Sequence, residues 1–296
     1  MSSFFSYLIT GISLGSIYAL IALGYTMVYG IAKMLNFAHG DVIMIGGYIV
    51  FTAVSTLGWS SGLGIFGAIF CGILGCLLLG VLVEKVAYKP LRNAPSLAVL
   101  ITAIGVSYLL QNIALLIFGS NPKNFSSVVM FDGFSIGKVR ISGETVVTIA
   151  VSVLIMIGLT LFVNHTKSGM AMLAVSEDKG AAQLMGVNVN RTISLTFAIG
   201  SALAGVASIL LCSTYPLLSP YTGAMPGIKA FTAAVFGGIG SIPGAMIGGV
   251  ILGVIESLSK AYISSQFSDA IVFGVLIIVL LVKPTGIMGK KLNEKV

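Results

Sequence analysis

Charge is what this sequence has least of: Asp, Glu, Lys and Arg supply 8% of its 296 residues, where a soluble domain carries about 25%. With 57% hydrophobic residues and a mean hydropathy of +1.07, no water-soluble fold could bury what must be buried. Catalytic motifs are missing too. There is no G-x-x-x-x-G-K-[ST] to cradle nucleotide phosphates, no G-x-S-x-G elbow, no H-E-x-x-H and no C-x-x-C pair. The chain therefore cannot hydrolyse ATP by that route, and it is expected not to be an enzyme. Its three cysteines, Cys71, Cys76 and Cys212, all lie within apolar runs. They read as small hydrophobes, since a lone five-residue spacing fits no common zinc pattern.

Carboxylates within apolar runs are scarce, which argues against an ion-coupled pump, where buried ionisable groups do the work. Glu256 and Lys260 stand four apart in the favourable order and read as an intrahelical ion pair near the outer interface. Asp269 reads as a first-turn acid complementing a helix dipole. A formal charge of +7 could suggest nucleic acid, but the basic residues are scattered through short connections and build no basic face, so no nucleic-acid partner is expected. The triplets at Asn124 and Asn190 are not read as glycosylation sites.

What the sequence does have is long apolar runs. A helix needs about 20 apolar residues to cross about 30 Å of hydrocarbon. Stretches at approximately 5–30, 40–57, 63–83, 97–119, 144–163, 191–213 and 244–282 qualify or nearly so, the last holding two helices, with a half-length run at 227–238 before it. The first run is too long for a signal peptide and lacks its basic flank. All eight prolines fall between runs or at their ends, where no interior helix bond is lost. The fold class is thus all-α: one polytopic membrane domain over 1–296, a bundle of about eight transmembrane helices in the lipid bilayer.

Orientation follows from Lys and Arg. Lys33, Lys85, Lys89, Arg92, Lys167, Lys179, Arg191, Lys283, Lys290, Lys291 and Lys295 share one side; Lys123, Lys138, Arg140, Lys229 and Lys260 share the other. The richer side is read as cytoplasmic, with the N-terminus outside and the C-terminus inside. Residues 227–262 must then begin and end outside, as a hairpin or a re-entrant segment. Re-entrance is favoured because 227–238 is short and the turn G-G-I-G-S-I-P-G leaves backbone groups that need a protein or watery surround. Four-residue glycine spacings, Gly11/Gly15, Gly240/Gly244/Gly248 and Gly249/Gly253, could mark helix crossings or chance.

Two polar stretches stand out. N-F-A-H-G-D at 36–41 gathers Asn36, His39 and Asp41. It is either a cytoplasmic turn with Asp41 capping the second helix, or a broken helix aiming its end into a substrate path. One His and one Asp supply too few ligands for a metal. The connection 164–190 is long: Ser176 is expected to cap a short helix, with Glu177 and Asp178 in its first turn and Gly186 as the stop after Leu184 and Met185. A short surface helix with apolar residues at its end needs a partner, and a soluble protein is preferred over lipid headgroups.

The stretches G-I-S-L-G-S-I-Y-A-L-I-A-L-G-Y-T-M-V-Y-G-I at 11–31, N-F-A-H-G-D at 36–41, K-A-F-T-A-A-V-F-G-G-I-G-S-I-P-G-A-M-I-G-G at 229–249 and K-P-T-G-I at 283–287 carry a resemblance. The chain closely resembles the LivH family, permease subunits of bacterial ABC importers for branched-chain amino acids, almost end to end. The resemblance implies a site in the bacterial cytoplasmic (inner) membrane. It also implies partners: a second permease resembling LivM, two cytoplasmic ATPases resembling LivG and LivF, and a periplasmic branched-chain amino acid binding protein. No cofactor is implied in this chain, since ATP and Mg belong to the ATPases. Coupling to the ATPase is carried onto Gly169, Ala171, Ala174, Ser176, Glu177, Asp178, Ala181 and Gly186. Relatives have arginines in G-R-A-x-R-A where this chain has Met170 and Leu173, so two charge contacts become apolar.

A path for leucine, isoleucine or valine calls for apolar walls and a few neutral dipoles. Candidates are Asn36, His39, Thr102, Ser107, Gln111, Asn112 and the break at Gly237, Gly238 and Gly240. In the 97–119 helix the same polar groups could instead satisfy neighbouring helices. A self-sufficient secondary transporter or channel for small amino acids is the competing reading.

Overall fold

A computed structural model describes residues 2–59, 62–92, 94–129, 131–136 and 139–289. Eleven α-helices are present among them: α1 Ser2–Ala32, α2 His39–Thr56, α3 Leu63–Val83, α4 Ser96–Phe118, α5 Gly143–His165, α6 Lys167–Glu177, α7 Lys179–Leu184, α8 Val189–Thr214, α9 Ala224–Gly237, α10 Ile242–Tyr262 and α11 Ser268–Val282. Six helical stretches are long and apolar enough to cross a membrane, and α11 is a shorter apolar helix. At 18 residues, α2 reaches about 27 Å at 1.5 Å per residue. Its opening turn is polar, which weakens it as an apolar run. Each apolar run thus appears as a helix within two or three residues of its expected ends. The pattern was legible because lipid leaves the backbone no other partner than its own helix. Two small antiparallel ladders join the loops, β1 Lys123–Asn124 with β4 Leu217–Leu218 and β2 Phe134–Ile136 with β3 Val139–Ile141.

The helices pack around α1 and α8. An 18-residue stretch is 72% buried in α1 and 78% in α8, against 17% in α4. The apolar faces of α3, α4 and α5 therefore look outward, and the centre belongs to α1 and α8 with α2, α9 and α10 around them. The glycine spacings are the means of close approach. A methyl group at Gly11 would lie 2.8 Å from Val254 Cα, and one at Gly15 2.7 Å from Val250 Cα. Additions at Gly249 and Gly253 would strike the backbone of Ala19 and Gly15. So α1 and α10 cross antiparallel, backbone against backbone. Gly244 and Gly248 meet Gly237 and Ala233 and seat α9 on α10 in the same way.

The strand end of the bundle holds the start of α1 and the hairpin β2–β3; the opposite, short-helix end holds α6, α7 and Ala32. Residues 227–262 form a hairpin, α9 then α10, whose turn lies at the short-helix end rather than part-way across as the favoured re-entrance expected, and the break in the chain lies ahead of α9 at 215–223. After α8 ends at Thr214, the chain turns back and buries Leu218 and Gly223 inside the bundle. Only then does the 14-residue α9 begin, with Gly40 and Gly223 in backbone contact. The following turn lies beside Gly30, near the short-helix end of α1. Its orphan carbonyls are not left open: Ile287 N–H donates to Phe236 O and Met288 N–H to Gly237 O, both at 2.9 Å. K-P-T-G-I thus closes the C-terminal end of α9, the role protein must play where irregular backbone is buried.

Three local expectations are corrected. The cap of the first short helix is Thr166, whose hydroxyl accepts from Gly169 N–H at 3.0 Å, while Asp178 caps α7 by accepting from Ala181 N–H at 2.9 Å. Ser176 lies inside α6 and donates to Leu173 O at 2.7 Å; the carboxylate two residues on out-competes it. Asp41 does not cap α2, whose N-cap is Ala38, but sits in its first turn. Lys229 is no loop residue: it is 6% exposed within α9. Gly186 does stop α7, at φ +85°, with Val187 N–H on Ala182 O and its own N–H on Gln183 O, the paired closure that requires a left-handed residue there. Of the residues read for orientation, Lys138, Lys290, Lys291 and Lys295 lie outside the described residues.

Candidate functional site

The N-F-A-H-G-D stretch is not a surface turn. Asn36, His39 and Asp41 are all buried, because α2 starts alongside Gly24 of α1 rather than beyond its end. Each polar group meets a different helix. Asn36 Oδ1 accepts from Tyr88 OH at 2.8 Å, and Tyr88 is carried there by a π-helical turn, Glu84–Tyr88, that continues α3. Asp41 Oδ1 accepts from Gln111 Nε2 at 2.9 Å, and the same amide reaches Ser107 Oγ at 3.3 Å. The His39 ring packs edge-on to Tyr25 with centroids 4.8 Å apart, and its Nε2 is buried with no hydrogen-bond partner.

The structure therefore brings Asn36, His39, Ser107 and Gln111 to one junction of α1, α2 and α4. The remaining path candidates lie apart from it. Asn112 is exposed and donates to Tyr108 O of its own helix at 2.7 Å. Thr102 is half-buried higher up the register of α4. Gly237, Gly238 and Gly240 form the turn at the short-helix end, with φ +108° at Gly238 and +91° at Gly240.

A second polar site was only half visible. Glu256, 1% exposed, accepts from Lys229 Nζ at 2.8 Å, Lys260 Nζ at 2.5 Å and Tyr18 OH at 2.9 Å. Lys229 also pairs with Asp269 at 2.6 Å. Two cations and two anions cancel, the condition under which charge is tolerable away from water. The network ties α9 to α1, α10 and α11. The Glu256–Lys260 pair followed from its spacing; Lys229 could have been found as the lone cation of an apolar run, which demands an acid.

The third feature is exposed. On α6, Gly169, Met172 and Val175 turn inward, and a methyl at Gly169 would enter the backbone of Val163 in α5. Ala174, Glu177, Asp178, Ala181 and Gly186 face outward, with Ala171 and Ser176 half-buried. Beside them, Met170 is 52% exposed, Leu184 90% and Met185 84%. The pair is fixed to the bundle on two sides: through Gly169 to α5, and through Lys179 Nζ to Ala32 O of α1 at 2.9 Å. An apolar tip on so firm a base is a handle.

Residues 7–280 match the family model described as the permease component of branched-chain amino acid transport systems. The chain belongs to this family. It is similar to the high-affinity branched-chain amino acid transport system permease protein LivH of Escherichia coli K12, 47% identical over 99% of this chain and 98% of that one. It is likewise similar to BraD of Pseudomonas aeruginosa, a permease protein of the same description, at 46% identity over 98% and 97%. A probable LivH of Methanocaldococcus jannaschii is 33% identical over 93% and 90%. Family membership makes the polytopic helical bundle and the transport role of such chains the frame in which the three features are to be understood.

Proposed function

We propose that this chain is the membrane-spanning permease subunit of an ATP-driven importer of leucine, isoleucine and valine. It works with a second permease resembling LivM, with ATPases resembling LivG and LivF, and with a periplasmic binding protein that delivers cargo. It lies in the bacterial inner membrane with its N-terminus outside and the α6–α7 end in the cytoplasm. The observation that carries the reading is the handle: a chain of this family, without nucleotide motifs, presents Met170, Leu184 and Met185 to water on helices anchored to the core.

Closure of the ATPases pushes on α6 and α7. Because Gly169 and Lys179 tie that pair to α5 and α1, the push moves the central helices as a body and exchanges which side the path faces. Cargo passes along this chain and its permease partner. The junction of Asn36, His39, Ser107 and Gln111 offers dipoles to a zwitterion, beside the Asp41 carboxylate that Gln111 already holds. Vesicles reconstituted with the whole complex test the reading: labelled valine should accumulate only with ATP and both ATPases. Uptake by this chain alone, driven by an ion gradient, would reject it in favour of a secondary transporter.

A further inference from the structure

A cavity of about 540 Å³ opens at the short-helix end, between the foot of α3, α7 and the start of α8, lined by Arg92, Lys179, Gln183 and the stretch from Gly186 to Asn190 with Ile193. Its charges do not cancel. Glu84 is spent on Arg92 and on Ser194 Oγ, which leaves Lys179, with Lys33 close enough to act on it. Burial first, then Arg92 and Lys33, hold the Lys179 ammonium below its ordinary value of 10.5, so an anion placed between them would relieve both repulsion and desolvation. The Arg92 guanidinium is fixed by Glu84 and Asn190, yet its Nε is buried with no hydrogen-bond partner among the described residues.

The rest of the lining can donate as well. Asn188 and Asn190 use their carbonyl oxygens on Arg191 N–H and Arg92, and their amide groups have no acceptor among the described residues, so they can donate. The cavity also lies where two helices long and apolar enough to span, Leu63–Leu91 and Val189–Thr214, reach the same end. Basic pockets of this kind between spanning helices take phosphate headgroups.

We propose that this cavity binds a phosphate-bearing anion, the headgroup of an anionic phospholipid or free phosphate, through Arg92, Lys179, Gln183 and the amides at the start of α8. Such an anion would bind α7 to the bundle beside the handle, independently of what the handle grips.

Native mass spectrometry of the full chain in neutral detergent tests this, with phosphatidylglycerol, phosphatidylcholine and inorganic phosphate as the three probes. Phosphatidylglycerol should be retained over phosphatidylcholine, and Lys179→Ala should weaken it about fivefold, while Lys179→Arg and a distant Lys123→Ala leave it unchanged. If inorganic phosphate binds with the same dependence on Lys179 and displaces the lipid, the site is one for free phosphate; if it does not, the source is the membrane. The same retention in wild type and Lys179→Ala, or equal retention of both lipids with no phosphate binding, overturns the proposal. So does dependence on Lys179 seen only for a co-purified ATPase, which would make the cavity a protein contact. Gln183→Ala, which removes a donor without touching Lys179 or the Arg92 pairs, guards against misfolding as the cause and should weaken binding in parallel.

Discussion

Replacing Lys229 with methionine removes the cation that serves both Glu256 and Asp269 while keeping the volume of the stem. Glu256 would keep Lys260 and Tyr18, but Asp269 would lose the cation it pairs with. Breaking a fully buried ion pair costs about 3–5 kcal/mol. Here the Asp269 side chain is 42% exposed and Glu256 remains half-compensated, so the loss is discounted to about 2 kcal/mol. In a folded unit of this size that corresponds to a fall of about 3 °C in melting temperature, readable by fluorescence size exclusion after heating in mild detergent. Because the damage is an orphaned charge, Lys229→Met combined with Asp269→Asn should recover about half of it. A single variant as stable as wild type, or a double variant whose losses simply add, would refute the argument that charge balance holds α9 in place.

The glycine crossing gives a sharper contrast. Gly15→Ala places a methyl against Val250 and should cost about 1–3 kcal/mol by overpacking, whereas Gly274→Ala, with nothing within 4 Å, should be neutral or slightly stabilising; melts of the two variants in parallel check this, and equal effects would contradict it. Asp178→Ala removes the α7 cap and should loosen that helix by about 1 kcal/mol, seen as faster amide exchange over 179–186 with no change in α6. For Lys179 the folded-state value lies below 10.5, so the folded chain binds this proton less tightly than the unfolded one. The penalty is therefore present in full at neutral pH and is relieved as pH rises through the folded value towards 10.5. Relative to Lys179→Gln, the wild type should gain stability between about pH 7 and about pH 10; a relative loss would show the sign to be wrong.

The helices were legible because a spanning segment has one stable form and announces it by length and apolarity. What resisted reading was whatever depends on helices meeting. N-F-A-H-G-D has the composition of a surface turn, and only the depth at which α2 starts, beside Gly24, buries His39 and Asp41. Thr166, Ser176 and Asp178 are all acceptable caps by residue type; which one serves depends on where α5 ends and on the break between α6 and α7. The π-helical turn that brings Tyr88 to Asn36 has no sequence mark. Lys229 was misplaced for a related reason: a charge in an apolar run reads as a loop residue until its two acids, 27 and 40 positions further on, are brought alongside by the hairpin. By contrast, Gly186 was readable, since a stop after two exposed apolar residues needs a left-handed position.

In the proposed function a cytoplasmic ATPase grips the apolar tip of α6 and α7. Placing a photo-crosslinking amino acid at Leu184 in cells tests it most directly. A covalent adduct with an ATPase subunit that shifts when nucleotide is trapped is expected; adducts confined to lipid, or to a protein on the outer side of the membrane, would rule this docking out.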